Sequence, residues 1–248
     1  MATAALVEKA SALVAAHPRP VPPIDLEPYL LALAVKDIRE RGEVGPEGAL
    51  LARDEGFDIA VPAGLSLGER RWVVAQQLAA ILASSFARPV DLGPAALELL
   101  LPSGVFGPAA LDAGPTVESM PALAARFLAP LRPVAERFCE LVAFRCLAAF
   151  WHPLPTGELV LNWQVASPEL QARFSVRAKV SPLDPPFASY GTGRLSYGRG
   201  RLSLGGPLLD YYIESVKVDE GVLSLAILER HAPLLAAAAR RGLGPARH

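Results

Sequence analysis

A chain of 248 residues with 52% hydrophobic side chains and a formal net charge of -1 can bury a substantial core, as one large domain or two to three modules. That charge leaves no overall electrostatic pull toward nucleic acid or acidic lipid, and no uncharged run approaches the roughly 18 apolar residues of a membrane span. Cys139 and Cys146, seven apart on what reads as a single helix and without a CxxC motif, are too far apart for a helical disulfide and fit a reducing cytoplasm.

The Ala-rich start carries Glu8 and Lys9 inside its apolar run and has no basic leader, so it reads as a helix over residues 2–16 rather than a signal peptide. The breakers between His17 and Pro23 stop it. Asp25 then caps a second helix running to about Ile38, with Leu30, Leu31, Leu33 and Ala34 facing inward. The charged run Lys36 to Glu43 reads as a solvated helix end and loop. Phe57 to Val61 alternates as a short strand. Ser66 and Glu69 follow as an S-x-x-E capping box, which satisfies the free amides of a first helical turn. The helix it opens contains Arg70 to Leu82, RRWVVAQQLAAIL, with Val74, Leu78, Ile81 and Leu82 at helical spacing and Ala75 and Ala79 beside them.

This segment resembles the active-site helix of the ImmA/IrrE family of metallopeptidases, whose members read close to RRFTLAHELAHIL. In the H-E-x-x-H arrangement, two histidines one turn apart bind the metal and the glutamate between them is the general base. Here those positions are Gln76, Gln77 and Ala80. Neither an amide nor a methyl group replaces a histidine on zinc, and Gln77 cannot take a proton near neutral pH. A second segment, Asp91 to Pro102, is similar to the family's E-A-N-x-F-A-A-E-L-L-M-P. It puts Asp91 at the place of the third metal ligand, with Gly93 and Ala95 where the Asn and Phe would stand. One carboxylate without its histidines holds metal negligibly. Leu123 to Phe138 resembles the family's helix-turn-helix-like segment, a helix ending in Arg126-Phe127, a turn, and a second helix. Arg126, Arg132, Arg137 and Arg145 would be the DNA contacts of such a motif. The region is not notably basic, so direct DNA binding is not expected.

Gly64-Leu65-Ser66-Leu67-Gly68 matches the G-x-S-x-G nucleophile elbow, and Asp219 and His231 supply a triad in the right chain order. An α/β-hydrolase needs several parallel strands before its elbow, and one strand is visible there. From Phe144 onward the pattern changes to short strands at 146–151, 159–165, 174–180, 195–204, 211–218 and 222–228, with Asp219-Glu220-Gly221 as a tight turn, which predicts an antiparallel sheet. Gly191, Gly193, Gly198 and Gly200 read as turn glycines. Family members of the radiation-response type carry a GAF-like sensor here, which the resemblance extends to this chain. Pro233 to His248 reads as an Ala-rich helix.

The predicted class is α+β: a mostly helical, zincin-like module with a short sheet (1–103), helix-turn-helix-like linker helices (104–143) and an antiparallel, β-rich module (144–248) that the resemblance implies is a GAF-like sensor. Active relatives cleave a helix-turn-helix repressor of the XRE type. The resemblance, with its chemistry removed, implies a cytoplasmic pseudopeptidase that binds such a regulator or senses a ligand in a stress response. Its cleft would be lined by Gln76, Gln77, Ala80 and Asp91, and no cofactor or membrane is expected. The alternative is an active hydrolase, either a zinc peptidase with non-standard ligands or a serine hydrolase using Ser66.

Overall fold

A buried carboxylate organises the first sheet. In the computed structural model, which describes residues 2–17, 21–142, 145–168, 170, 179–184, 187–202 and 209–228, β1 (Val35–Arg41), β2 (Ala49–Arg53) and β3 (Gly56–Pro62) pair in the order β1-β3-β2. The central strand β3 runs parallel to β1 and antiparallel to β2. Asp58 on β3 is buried, and both edge strands send it a cation, Arg53 from β2 and Arg39 from β1 at 3.9 Å. A buried carboxylate persists only with such partners. The charged edge β1 also discourages pairing with another chain.

Helices complete this part of the chain. α1 (Ala2–Ala15) buries Leu6, Ala10 and Val14, four residues apart on one face. It packs on α3 (Leu67–Ala83) and α4 (Gly93–Leu100), and α3 also packs on β3. The capping box holds as the sequence predicts: the Ser66 hydroxyl accepts from the Glu69 amide at 3.3 Å, and the Glu69 carboxylate accepts from the Ser66 amide at 2.8 Å. Val74, Leu78 and Ile81 are buried as expected, Leu82 is half-buried, and Val73 joins the core.

The second helix is much shorter than expected. α2 covers only Glu27–Ala32, with Leu26 and not Asp25 as its cap residue, and it buries Tyr29 and Leu30 while Leu31 is 69% exposed. Ala34 takes the left-handed conformation (φ 54), its carbonyl accepts the Phe57 amide at 3.0 Å, and the chain turns into β1. Most of the charged run read as helix end and loop is therefore strand. Pairing with β3, distant in sequence, overrides a locally helical composition. β2 was not anticipated from the sequence.

The chain divides into two units, Met1–Phe106 with Ala124–Pro133 and Gly107–Leu123 with Val134–His248. The division falls within α5 (Ser103–Ala113), α6 (Ser119–Phe127) and α7 (Leu131–Leu141). In the second unit β4 (Cys146–Pro153), β5 (Leu159–Ala166), β6 (Lys179–Val180), β7 (Ser196–Leu202), β8 (Leu209–Val218) and β9 (Gly221–Leu228) form one sheet in the order β6-β5-β4-β9-β8-β7. Every pairing is antiparallel, as the sequence predicts, and the fold is α+β. β9 is buried at every position, so the sheet is covered on both faces there. Asp219 (φ 50) and Glu220 make the β8–β9 turn; a Cβ on Gly221 would meet the Trp151 carbonyl at 2.6 Å, so the following position takes glycine.

Other expectations shift. Cys139 lies on α7 and Cys146 opens β4, so the two thiols are on different elements; both are free and buried. The Cys146 thiol is pushed well up by its hydrogen bond with Cys139 and by burial. A short helix α8 (Ser189–Thr192) ends at Gly193 (φ 67), and Gly198 and Gly200 lie inside β7 rather than in turns. Of the strand expected at 174–180, Lys179 and Val180 are described; the helix expected from Pro233 and the triad candidate His231 lie outside the described residues.

Glu214 on β8 is 7% exposed and accepts the Val117 amide at 3.1 Å, which fastens the turn before α6 to the sheet. Burial pushes its carboxyl above the ordinary range, the Glu118 charge adds to the rise, and the Val117 bond opposes it. The folded protein therefore holds this proton where the unfolded chain has released it, and the associated stability is lost as pH rises from the ordinary carboxylate range through the raised value. Glu214→Gln keeps an acceptor for Val117 without the charge. Its melting temperature relative to wild type should rise between about pH 4 and pH 7; a difference flat with pH in thermal unfolding would contradict the buried-charge account.

Candidate functional site

The helix α3 carries the three positions that matter, and the structure gives them different tasks. Gln77 is buried, and its amide nitrogen donates to the Glu47 carbonyl at 2.7 Å. That carbonyl belongs to the turn Gly45 to Gly48 between β1 and β2, closed by a Gly48 amide to Gly45 carbonyl bond of 2.9 Å. Gly48 has φ +75, and a Cβ there would stand 2.6 Å from Val73 Cγ1 and 2.8 Å from the Ala60 carbonyl. Only glycine allows the turn to approach α3 this closely. Gln77, which the resemblance sets at the general-base position, is thus a strut between helix and turn.

Gln76 and Ala80, one turn apart on the helix, are half-buried. Asp91 is exposed and lies ahead of α4, where its Oδ1 accepts the Gly93 amide at 3.0 Å. The carboxylate drawn inward is a different one: Glu98 on α4 is 6% exposed and accepts from the Ser103 hydroxyl at 3.2 Å and the Ser103 amide at 3.4 Å, fixing the turn into α5. Among the described residues, no three His, Cys, Asp or Glu side chains are grouped so that they could share a metal ion. Gln76, Gln77 and Ala80 offer no carboxylate, imidazole or thiolate for zinc.

Ser66 is occupied structurally. Besides capping α3, its hydroxyl donates to the Glu69 carboxylate at 2.7 Å, and those bonds hold the Glu69 carboxyl below its ordinary value. A serine donating to a carboxylate of its own helix cap is not presented to a histidine base.

The helix-turn-helix-like segment forms its helices as expected. α6 ends at Phe127, Leu128 takes φ 48, and the Ala129 amide returns to the Ala124 carbonyl at 3.1 Å before α7 begins. Arg126 and Arg132 are exposed, whereas Arg137 is 3% exposed and pairs with Glu140 at 2.8 Å. Arg137 is therefore withdrawn from any contact surface with the other two; the helical period that would have shown this is masked by the charged residues around it. The second unit contributes buried hydroxyls, Ser189, Ser215 and Ser224, which no sequence motif marks. The Gly45-Pro46-Glu47-Gly48 run is a turn signal that could have revealed the partner of Gln77.

No family model and no curated protein sequence matches the chain. Among solved structures, the chain is similar to a Mycobacterium tuberculosis transcriptional regulator, with a TM-score of 0.60, 14% sequence identity, and coverage of 95% of this chain and 80% of that one. At that identity the likeness is one of fold. The resemblance to ImmA/IrrE peptidases rests on the residues of α3, α4 and the α6–α7 segment alone. No single described helix is long and apolar enough to cross a membrane.

Two substitutions test the strut. Gln77→Glu puts a carboxylate against the Glu47 carbonyl; it should destabilise the protein by about 1–3 kcal/mol at pH 8 and by less at pH 5, where protonation restores a donor. Gly48→Ala should cost about 2 kcal/mol or more, from the strained φ and the clash with backbone. Urea unfolding of both variants checks this, and wild-type stability in either would mean the turn is not held to α3.

Proposed function

We propose that the chain is a cytoplasmic regulatory protein that retains the frame of an ImmA/IrrE-like peptidase module for binding and not for hydrolysis. The observation that carries this reading is the Gln77 to Glu47 bond: the position where a general base would act is committed to holding the 45–48 turn. Gln76 and Ala80 supply no metal ligand beside it, and Asp91 is used to start α4. The fold likeness to a transcriptional regulator supports a regulatory role in general terms. Its partner on this reading is a helix-turn-helix regulator of the XRE type, bound as a protein; direct DNA binding through Arg126 and Arg132 is not part of the proposal. Zinc peptidase chemistry and a Ser66 hydrolase have no observation in their favour, since Ser66 is bound to Glu69.

The test combines metal content with partner binding. Protein purified without chelator from zinc-supplemented cells should carry less than about a tenth of an equivalent of zinc. An XRE-type regulator encoded beside it should form a stable complex in size-exclusion chromatography and stay intact for hours. Near-stoichiometric zinc, or chelator-sensitive cleavage of the regulator, would replace this reading with the peptidase one. The triple variant Gln76→His, Gln77→Glu, Ala80→His should gain zinc; if it folds and binds none, the peptidase frame itself is wrong.

A further inference from the structure

The break between α7 and β4 brings the chain's two cysteines together. Cys139 lies in the last turn of α7, with its Sγ 4.0 Å from the Val165 carbonyl of β5. Cys146 opens β4, and there β4 and β5 run side by side, Leu147 opposite Ala166 and Ala148 opposite Val165. The end of α7 therefore meets the sheet at the end from which Cys146 starts, and the two thiols hydrogen-bond each other. Both residues belong to the same unit of the chain. A single helix through both would have held them about 10 Å apart along its axis and ruled out a bond between them.

The two sulfurs are anchored unequally. The Cys146 amide donates to Ser167 Oγ at 3.0 Å, and its carbonyl accepts the Ser167 amide at 2.9 Å, which fixes the start of β4. Cys139 sits two residues from the end of its helix, where turns open most readily. Both side chains are fully buried and free, and a lone thiol so placed is inert. A touching pair behaves differently, because the first sulfur to be oxidised meets the second thiol before it meets more oxidant.

We propose that Cys139 and Cys146 form a reversible redox switch, which peroxide closes to an intramolecular disulfide that pins the end of α7 to the start of β4. In the first step the thiol sulfur attacks peroxide: an S–O bond forms, the O–O bond breaks, and the departing hydroxide leaves as water with the thiol proton. The second sulfur then displaces the sulfenic oxygen, forming the S–S bond and releasing a second water. Two thiols thus give two electrons and two protons to one peroxide, and a dithiol reductant returns them by exchange. The hydrogen bond to Cys139 and burial hold the Cys146 thiol well above its ordinary pKa, so the pair reacts slowly and stays reduced until oxidant persists. The switch stands independently of what the first unit binds, so its failure and the failure of the regulator-binding reading are separate results.

The chain has two cysteines, which makes the thiol count unambiguous. Full-length protein, reduced and freed of reductant, is treated with hydrogen peroxide, then denatured and alkylated with N-ethylmaleimide. Alkylatable thiols should fall to about a tenth of their starting number, with a loss of about 2 Da in intact mass, and dithiothreitol should restore both. Trypsin cuts at Arg145, between the two residues, so the digest should contain their peptides joined. The oxidised protein should remain folded and melt at least about 3 °C above the reduced form. Cys139→Ala and Cys146→Ala should each lack that rise. Thiols that survive peroxide sufficient to oxidise free cysteine completely, separate sulfinic acids, disulfides between chains, or an oxidised form that melts below the reduced one would each overturn the proposal.

Discussion

One hydrogen bond ties the first unit of the chain together. Gln77 on α3 reaches the backbone carbonyl of Glu47, and in doing so joins the helix to the turn between β1 and β2. The bond requires the turn to come close, which requires Gly48 with its positive φ and no side chain. An amide suits the position because it donates to a carbonyl at any pH at which the protein is folded. A glutamate there would serve as a base only by giving up this contact. Strut and base are therefore alternative uses of the same position, and the sequence has the residue for the first.

The same separation of roles runs through the rest of this unit. Asp58, Glu98 and Asp91 are all carboxylates near the sheet and helices, and each already has a structural partner: Arg53 and Arg39, Ser103, and the Gly93 amide. Ser66, the residue most suggestive of a nucleophile, is tied to Glu69 in two directions. Chemistry needs groups held in place yet free to exchange a proton or meet a substrate atom. The groups here meet the first condition.

What could be read from the sequence was whatever depends on near neighbours. The capping box at Ser66 and Glu69, the face of α3, the hairpin at Asp219 and Glu220 and the antiparallel strands from Cys146 all follow from residues a few positions apart. What could not be read depends on distant partners. β1 carries a helix-like sequence and becomes a strand because β3, twenty residues later, offers it a parallel partner and Ala34 turns the chain into place. Arg137 looks like any solvated helical arginine until α7 is packed, and only then proves buried beside Glu140. Gln77 gave no sign of its strut role, because its partner is a backbone carbonyl and any residue at position 47 would supply one.

The second unit shows why unsatisfied groups carry more information than satisfied ones. β8 has polar side chains on both faces of a sheet buried on both sides at its neighbour β9. On one face Glu214 meets the Val117 amide; on the other Ser215 meets Ser224. Those two contacts show that the fold finds partners for buried polar groups on this strand. Tyr211 is on the same strand, two pairs along from Ser215, and among the described residues its hydroxyl has none. Phenylalanine would fill the same volume at that position without the desolvated hydroxyl.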